Sequence, residues 1–316
     1  MTLQQSHRNM INIIIEHHFE ELPKKIRRSP IGICNEVYYV DLDSRSVIVR
    51  LSNAVKYLRG SEVHIPEFKA LDIKVPDILA SDYSKKIIPL CYQIQSKIQG
   101  KDLGVVIESL NQNQLSKLAG EIATIIRKVK TLPVTKQFGL IWGGDNDVSD
   151  SWSERMDLWI QESIMRGRST GVMDQQIEQI ASKLYTQYKS YFDRVEPIMY
   201  YGDMSSKNVM VHRGIFSGLV DLDGLTQGDP LEALGRIKLS WYGTSHGEFY
   251  FKALVKELDL TQTELQYVTV YALLNQCSWM CENGIQFNQN TKPVVDEEKI
   301  KRDKDIVLQL ASELWS

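Results

Sequence analysis

Short apolar runs separated by polar turns fill the first third of the chain, a pattern typical of β-strands. Two runs rich in β-branched and aromatic residues, at 37–42 and 47–51, flank the polar segment 43–46. This arrangement predicts a β-hairpin. A further strand-like run extends from 87 to 98 and ends at Gly100. We therefore expect a small, β-rich unit with few helices.

After Gly100 the apolar residues recur at spacings of three and four, the period of an α-helix. They share one face of the segment 115–129, with charged residues between them, and Leu132 and Pro133 end the pattern. The residues Ser151 to Glu154 fit a capping box that opens the next helix, in which each of the two side chains bonds a backbone N–H of the other end. More helical sequence runs from about 175 to 192. It then gives way to a β-rich insert at 198–222, beyond which the chain is mostly helical.

The order of these elements predicts an α+β fold of two unequal lobes. Residues 1–98 would form the β-rich amino-terminal lobe, and residues 99–316 the larger, mostly helical lobe with its β-rich insert. A cleft between two lobes is a common place for a ligand. We therefore expect the functional residues to face this cleft.

Composition narrows the class of protein. The 316 residues are enough for about two domains or one large two-lobed domain. A net charge of −3 argues against a dedicated nucleic-acid binder. No apolar run reaches the roughly 18–20 residues that span a bilayer, and the start lacks a secretory pattern. We therefore expect a cytoplasmic protein without a membrane or nucleic-acid partner.

The four cysteines are too sparse to predict a disulfide framework. Cys277 and Cys281 are four residues apart and would share a helix face. Packing in the core is the favoured interpretation, because free cysteine behaves as a small hydrophobic residue.

The β-rich insert carries the most informative polar residues. Asp203 is followed five residues later by Asn208, and Asp221 comes thirteen residues after that. A tight hairpin between the last two would bring them to the same end of a strand pair. Mg²⁺ takes oxygen ligands and keeps several waters and phosphate oxygens, so one amide and one carboxylate suffice. Asp203 could then receive the proton of an attacking hydroxyl, which indicates phosphoryl transfer.

These residues resemble the motifs of the aminoglycoside phosphotransferase and choline-kinase-like family, relatives of protein kinases. That family has a His-Gly-Asp loop with Asn five residues after the Asp, and here Tyr201 stands at the His position. The resemblance implies a protein-kinase-like fold and transfer of a γ-phosphate from ATP or GTP to a small-molecule hydroxyl. It makes Asp203 the catalytic base, and Asn208 and Asp221 the Mg²⁺ ligands.

The resemblance extends to the nucleotide site in the amino-terminal lobe. Residues 32–38 are similar to the family's nucleotide loop, and Arg50 matches the cation that holds the α- and β-phosphates. Arginine can bind phosphate through two parallel hydrogen bonds. The family pairs this cation with an acid on the next helix. Glu62 is the first candidate and Glu67 the alternative, because Pro66 makes the register of that helix uncertain.

Residues 92–100 resemble the hinge between the lobes of such enzymes. The resemblance implies that the backbone carbonyl of Ser96 and the backbone N–H of Ile98 hold the adenine edge. The sequence at 228–230, Gly-Asp-Pro, also matches the family and is expected to be a structural turn.

The acceptor is less constrained by the sequence. An aminoglycoside-type antibiotic is favoured by the resemblance, and a metabolic kinase for choline, ethanolamine or a sugar is the alternative. A nucleotide-binding pseudoenzyme is a third possibility, supported only by Tyr201. A protein kinase is disfavoured, because the segment between Asp221 and the turn at 228–230 is too short for a long activation segment.

Several polar and aromatic residues remain open to more than one interpretation. Asp223 could support the loop, bind a second Mg²⁺ or touch the substrate, and support is slightly favoured. The acidic segment 145–150 is more typical of a solvated loop than of a site for a cationic antibiotic. Aromatic residues with an acid could hold a quaternary ammonium by cation–π contact, but a core stripe is favoured for Tyr242, Tyr271, Trp279 and Glu282.

Overall fold

A five-stranded antiparallel sheet forms the amino-terminal lobe of the computed structural model, which describes residues 3–30, 32, 34–144, 146–288 and 290–315. Its strands, in the spatial order β1-β2-β3-β5-β4, are β1 (Lys25–Arg28), β2 (Glu36–Asp41), β3 (Ser46–Ser52), β4 (Ile78–Asp82) and β5 (Cys91–Ser96). The predicted hairpin is confirmed, with Val40 opposite Val47. The run at 87–98 forms a strand only over Cys91–Ser96, so the predicted strand was too long at both ends.

Two helices cover opposite faces of this sheet. Alternate residues of β3, among them Val47 and Val49, pack with the buried isoleucines of α1 (Leu3–Phe19). Side chains that alternate with these point to the other face. There Arg50 meets α2 (Lys56–Ala70) through Ser61. The period of a strand therefore sends this arginine away from the lobe's apolar core and towards the cleft.

The second lobe is mostly helical and carries two small sheets. Its helices are α3 (Leu103–Val106), α4 (Gln112–Val129), α5 (Trp152–Ser169), α6 (Gln175–Phe192), α7 (Leu231–Ser240), α8 (Ser245–Leu258), α9 (Gln262–Met280) and α10 (Glu297–Trp315). One sheet, in the order β11-β10-β6, contains β6 (Lys101–Asp102), β10 (Val209–His212) and β11 (Ile215–Leu219). The other, in the order β8-β7-β12-β9, contains β7 (Phe138–Ile141), β8 (Asp147–Ser149), β9 (Ile198–Tyr200) and β12 (Leu225–Gly228).

The predicted helix starts are largely confirmed. The apolar face of 115–129 is the buried face of α4, whose first turn is closed by a capping box between Asn111 and Gln114. Ser151 caps α5 by accepting a hydrogen bond from the backbone N–H of Glu154, at 3.0 Å. In a capping box the Glu154 side chain would accept from the backbone N–H of Ser151. Here it accepts instead from the backbone N–H of Asp150.

The main apolar core lies in the helical lobe and extends into α2. Ile65 and Phe68 of that helix belong to the same buried cluster as α4, α5 and α9. Cys277 and Cys281 are buried in this cluster, which confirms the core interpretation of the pair. Among the described residues, no helix combines the length and apolar character that crossing a bilayer requires.

Candidate active site

The hairpin formed by β10 and β11 brings two of the predicted site residues together. Asn208 immediately precedes β10 and Asp221 follows β11, and Val209 lies opposite Leu219. The backbone N–H of Val220 donates to the carbonyl of Asn208 at 3.0 Å. As predicted from their spacing, the two residues lie at the same end of the strand pair.

Both residues adopt a left-handed backbone conformation. The φ angle is +71° at Asn208 and +62° at Asp221. Asn and Asp enter this region more readily than other non-glycine residues, and such conformations concentrate at functional sites. The backbone therefore turns sharply at both points where an oxygen ligand is expected.

Asp203 lies in the loop between β9 and β10, with its side chain about half exposed (50%). The amide of Asn208 donates to Oδ2 of Asp203 at 2.8 Å. Since the nitrogen of that amide faces Asp203, the amide oxygen of Asn208 is left as the atom that could ligate a metal ion. The other carboxylate oxygen, Oδ1, lies 3.7 Å from Nη1 of Arg236. Asp203 is thus accessible and held from two sides.

Tyr201 supports the loop that carries Asp221. Its buried hydroxyl donates to the backbone carbonyls of Val220, at 2.8 Å, and Asp221, at 3.1 Å. Its ring meets Phe68 of α2 edge-on. The residue at the family's His position therefore has a structural role.

Arg50 is at the centre of a buried polar cluster and is only 3% exposed. It donates to Asp223 at 2.7 Å, to Asp221 at 2.8 Å and to the hydroxyl of Ser61 at 3.1 Å. Asn35, in the segment resembling a nucleotide loop, also donates to Asp223, at 3.0 Å. A buried charge needs such partners, so Asp223 supports Arg50, which agrees with the favoured interpretation.

The expected acid from α2 requires a correction. In the described part of the chain Arg50 bonds to neither Glu62 nor Glu67: Glu62 accepts from Ser81 at 2.6 Å, and Glu67 bonds His64 at 2.9 Å. Neighbouring helix residues point about 100° apart. Because Ser61 faces the arginine, Glu62 points elsewhere, and Asp223 takes the place of the helix acid.

The carboxylates near the hairpin form an environment that attracts a cation. The enclosed surroundings and the carboxylates of Asp223 and Asp203 raise the pKa of Asp221 to about 7, against the opposing effect of Arg50, although the Asp221 side chain is still 49% exposed. A divalent cation would relieve this repulsion. The described residues contain no cluster of three or more His, Cys, Asp or Glu side chains suited to a metal. Asn208 and Asp221 nevertheless fit Mg²⁺, which needs only one or two protein oxygens beside phosphate.

The segment 32–38 lies over this end of the hairpin, although Ile33 is outside the described residues. Partial enclosure of the Cys34 thiol and the carboxylates of Asp221 and Asp223 raise the pKa of that thiol to about 11, although the residue is exposed at the surface. Gly32 has a φ angle of +95°, which a residue with a side chain rarely adopts. The loop that should cover the phosphates therefore approaches the expected metal ligands.

The segment expected to be the hinge connects the two lobes. Ser96 ends β5 and bonds Asp77 twice, through its backbone N–H at 2.8 Å and its hydroxyl at 2.7 Å. Ile98 packs against Gly218 of β11, where an added Cβ would lie 3.2 Å from the Ile98 side chain. The hinge is thus fixed to both lobes beside the cleft.

The aromatic residues considered for acceptor binding belong mainly to the core. Tyr271 is completely buried, accepts a hydrogen bond from Trp152 at 2.7 Å and donates to Asp229 at 2.8 Å. Tyr242 donates to Glu313, away from the cleft residues, at 2.7 Å. The core interpretation is confirmed for Tyr271.

Part of the acidic segment 145–150 is strand β8, which pairs with β7, so the loop prediction is wrong for Asp147–Ser149. Asp147 pairs with Arg155 at 2.9 Å, whereas Asp145 lies outside the described residues. This pair gives the described part of the segment a local role in fixing the start of α5.

Sequence reasoning missed Arg236 and Glu232, which approach Asp203 from α7. The two form an ion pair four residues apart, with Nε of Arg236 donating to Glu232 at 2.7 Å. This spacing was visible in the sequence as a helical Glu–Arg pair after the turn at 228–230. What it did not show is that the pair faces the loop of Asp203.

Comparison with known proteins gives one family and many similar folds. A model of the phosphotransferase enzyme family, APH, matches residues 25–259. The structure of the GDP and kanamycin complex of APH(2'')-IIIa has a TM-score of 0.72 at 13% identity, covering 99% of each chain. An APH(4)-Ia mutant in complex with AMP-PNP and hygromycin B has a TM-score of 0.70 at 13% identity, covering 96% of this chain and 97% of that one.

A third similar structure, the GDP complex of wild-type aminoglycoside 2'-phosphotransferase-IIIa, has a TM-score of 0.71 at 13% identity. It covers 97% of this chain, and 99% of that chain is covered. No curated protein sequence matches significantly. At these identities the structural matches show the fold, which is the expected α+β, kinase-like architecture of two lobes.

Proposed function

The chain belongs to the phosphotransferase enzyme family and is a small-molecule kinase with a nucleotide co-substrate, and we propose that it moves the γ-phosphate of ATP or GTP to a hydroxyl of an aminoglycoside-type acceptor. The observation that carries this proposal is the meeting of Asp203, Asn208 and Asp221 at one end of the β10–β11 hairpin. Two similar structures contain kanamycin and hygromycin B, which supports the choice of acceptor class.

Asp203 is the proposed base. The acceptor hydroxyl donates a hydrogen bond to its carboxylate, and the proton passes there as the oxygen bonds the γ-phosphorus. The bond from that phosphorus to the bridging oxygen breaks, and the nucleoside diphosphate leaves. The half-exposed position of Asp203 suits contact with an acceptor from the cleft. Catalysis of this kind depends mainly on positioning and charge.

The remaining residues would bind the nucleotide. Asn208 and Asp221 would hold Mg²⁺, which neutralises phosphate charge when bound. Arg50, which Asp223 and Ser61 hold in place, would supply a cation to the α- and β-phosphates. The backbone at Ser96 and Ile98 would receive adenine.

We further propose that the boundary between the nucleotide-binding lobe, 1–98, and the catalytic lobe, 99–316, lies at this hinge. The pseudoenzyme alternative was based only on Tyr201 at the family's His position. Tyr201 is a buried support of the loop that carries Asp221, so its presence does not argue for a loss of catalysis.

The test is release of nucleoside diphosphate with Mg²⁺ and ATP or GTP, across kanamycin, hygromycin B, choline, ethanolamine and simple sugars. We expect an aminoglycoside to stimulate release. Asp203→Asn should lower turnover by about 10²–10⁴-fold, the usual contribution of a general base. The matched control is Asp193→Asn, which changes an exposed aspartate paired with Lys189 and should leave turnover unchanged.

Each alternative result has a distinct meaning. Stimulation by choline, ethanolamine or a sugar instead would replace the acceptor class while keeping the enzyme class. Full turnover in Asp203→Asn would show that Asp203 is not the base.

A further inference from the structure

Arg236 lies beside the carboxylate that the proposed mechanism uses. Its Nη1 is 3.7 Å from Oδ1 of Asp203, and its side chain is mostly enclosed. The second oxygen of Asp203 is held by Asn208 at 2.8 Å. An aspartate on a loop would otherwise rotate between several orientations, so these two groups together restrict it.

The guanidinium of Arg236 is itself held by a residue of its own helix, Glu232. Its Nε donates to Glu232 at 2.7 Å, and Glu232 is only 5% exposed. The completely buried Asn275 of α9 donates to the same oxygen of Glu232 at 3.0 Å. The chain of contacts from Asn275 through Glu232 and Arg236 therefore links the interior of the helical lobe to Asp203.

The loop of Asp203 also passes beside this chain of contacts. A Cβ added at Gly202 would lie 3.4 Å from Oε2 of Glu232, an ordinary contact distance. The gap between Glu232 and the residue next to Asp203 therefore has room for little more than a methyl group.

The start of α7 is fixed by the turn at 228–230. Asp229 accepts from the hydroxyls of Tyr191 and Tyr271, the latter at 2.8 Å, and from the backbone N–H of Leu231 at 3.0 Å. Glu232 lies in the first turn of α7, and Arg236 lies one turn further along the helix. The turn that sequence analysis treated as purely structural thus sets the position of both residues relative to Asp203.

We propose that Arg236 is a positioning residue that holds the Asp203 carboxylate in the orientation that receives the acceptor hydroxyl. This inference rests on the proposed function, in which Asp203 is the base. Asp203, Asp221 and Asp223 bring three carboxylates close together. In the described residues, Arg50 pairs with Asp221 and Asp223, and Arg236 is the second cation, which pairs with Asp203. Its effect on the reaction passes through Asp203, so removing it should slow transfer without weakening nucleotide binding.

The experiment compares Arg236→Ala, Arg236→Lys and Asp203→Asn by steady-state turnover with Mg²⁺, nucleotide and the acceptor that stimulates the wild type. In Arg236→Ala, kcat should fall by about 10–100-fold, because a displacement of about 1 Å at a catalytic group costs up to about 10²-fold. The KM for nucleotide should stay within about twofold. Arg236→Lys should recover part of the loss, and added guanidinium ion should raise the turnover of Arg236→Ala.

A double variant separates positioning from general stability. If Arg236 acts through Asp203, Asp203→Asn with Arg236→Ala should be no slower than Asp203→Asn alone. Arg168→Ala is the matched control, because Arg168 pairs with Glu178 on the exposed surface and should leave kcat unchanged.

The possible results decide separately on the function and on the inference. Loss of turnover in Asp203→Asn supports the proposed function, and on that basis full kcat in Arg236→Ala would overturn the inference. The inference would also be overturned if the fold-losses of kcat in Arg236→Ala and Asp203→Asn multiplied in the double variant. A lowered melting temperature of Arg236→Ala with unchanged kcat per folded molecule would overturn it as well. Full turnover in Asp203→Asn would overturn both the assigned base and the role of Arg236.

Discussion

Helix α2 passes so close to the loop of Asp223 that the residue at the crossing has no room for a side chain. Gly60 is buried there, and a Cβ added to it would lie 2.5 Å from the carbonyl carbon of Asp223 and overlap the oxygen. The obstacle is backbone and cannot rotate away. Gly60→Ala therefore tests whether this approach holds the cleft together.

Two opposing effects set the magnitude for Gly60→Ala. Alanine favours a helix interior over glycine by about 1 kcal/mol. Against this gain, α2 must retreat by roughly 1–2 Å to restore ordinary contact, which breaks the bonds of Ser61 to Arg50 and Asp223. Hydrogen bonds to charged groups are worth about 1.5–3 kcal/mol each. The free energy of unfolding should therefore fall by about 2–5 kcal/mol.

The assay is thermal and denaturant unfolding together with nucleotide turnover. A loss of this size lowers the melting temperature by on the order of 5–15 °C in a large domain, and turnover should fall because Arg50 loses a support. The control is Gly120→Ala in α4, where an added Cβ would be 3.9 Å from the nearest atoms, those of the Glu257 side chain. This control should gain up to about 1 kcal/mol.

The reasoning on Gly60 would be refuted by a Gly60→Ala protein that is as stable as Gly120→Ala and fully active. In that case the helix and the Asp223 loop would be able to separate without cost. The support of Arg50 by Ser61 would then contribute little to either stability or turnover.

Three further predictions concern titratable and reactive groups. Cys34 is the exposed cysteine among the four, and we expect Mg²⁺–nucleotide to slow its labelling by a thiol reagent; equal rates with and without nucleotide would contradict the placement of the loop. Burial lowers the pKa of His7 and His18 below 6.5, so unfolding experiments should show stability decreasing as the pH falls through about 6.5 and below, and His7→Gln should weaken that dependence. The pKa of Asp221, raised to about 7, keeps this carboxyl protonated in acid, so the rise in melting temperature caused by Mg²⁺ should be larger at about pH 8 than at about pH 6; an equal rise at both would contradict the raised pKa of Asp221.

Local features of the site were predictable from the sequence. The hairpin that joins Asn208 to Asp221 follows from short apolar strands around a Gly-containing turn, which brings the two strand ends together despite a register shift between Met210 and Val211. The alternation of β3 likewise placed Arg50 on the face opposite to that of Val47 and Val49. Residues that are near in sequence were therefore placed correctly relative to one another.

Contacts between distant segments were predicted less well. The pairing of Arg50 with Glu62 or Glu67 was wrong because the register of α2 against β3 depends on how closely that helix approaches the Asp223 loop. The predicted strand at 87–98 was too long because apolar residues that precede the sheet, such as Ile88, are also buried in the core. Neither fact is encoded in the local pattern.

The sequence by itself determined the division into a β-rich lobe and a mostly helical lobe, the hairpin geometry of Asn208 and Asp221, and the candidate base Asp203. The tertiary structure decided which partners these groups have: Asp223 for Arg50, Tyr201 for the loop of Asp221, and Arg236 for Asp203. The physical reason is that periodicity and turn chemistry act over a few residues. A buried charge, by contrast, selects its partner from whatever the packed elements bring within about 3–4 Å.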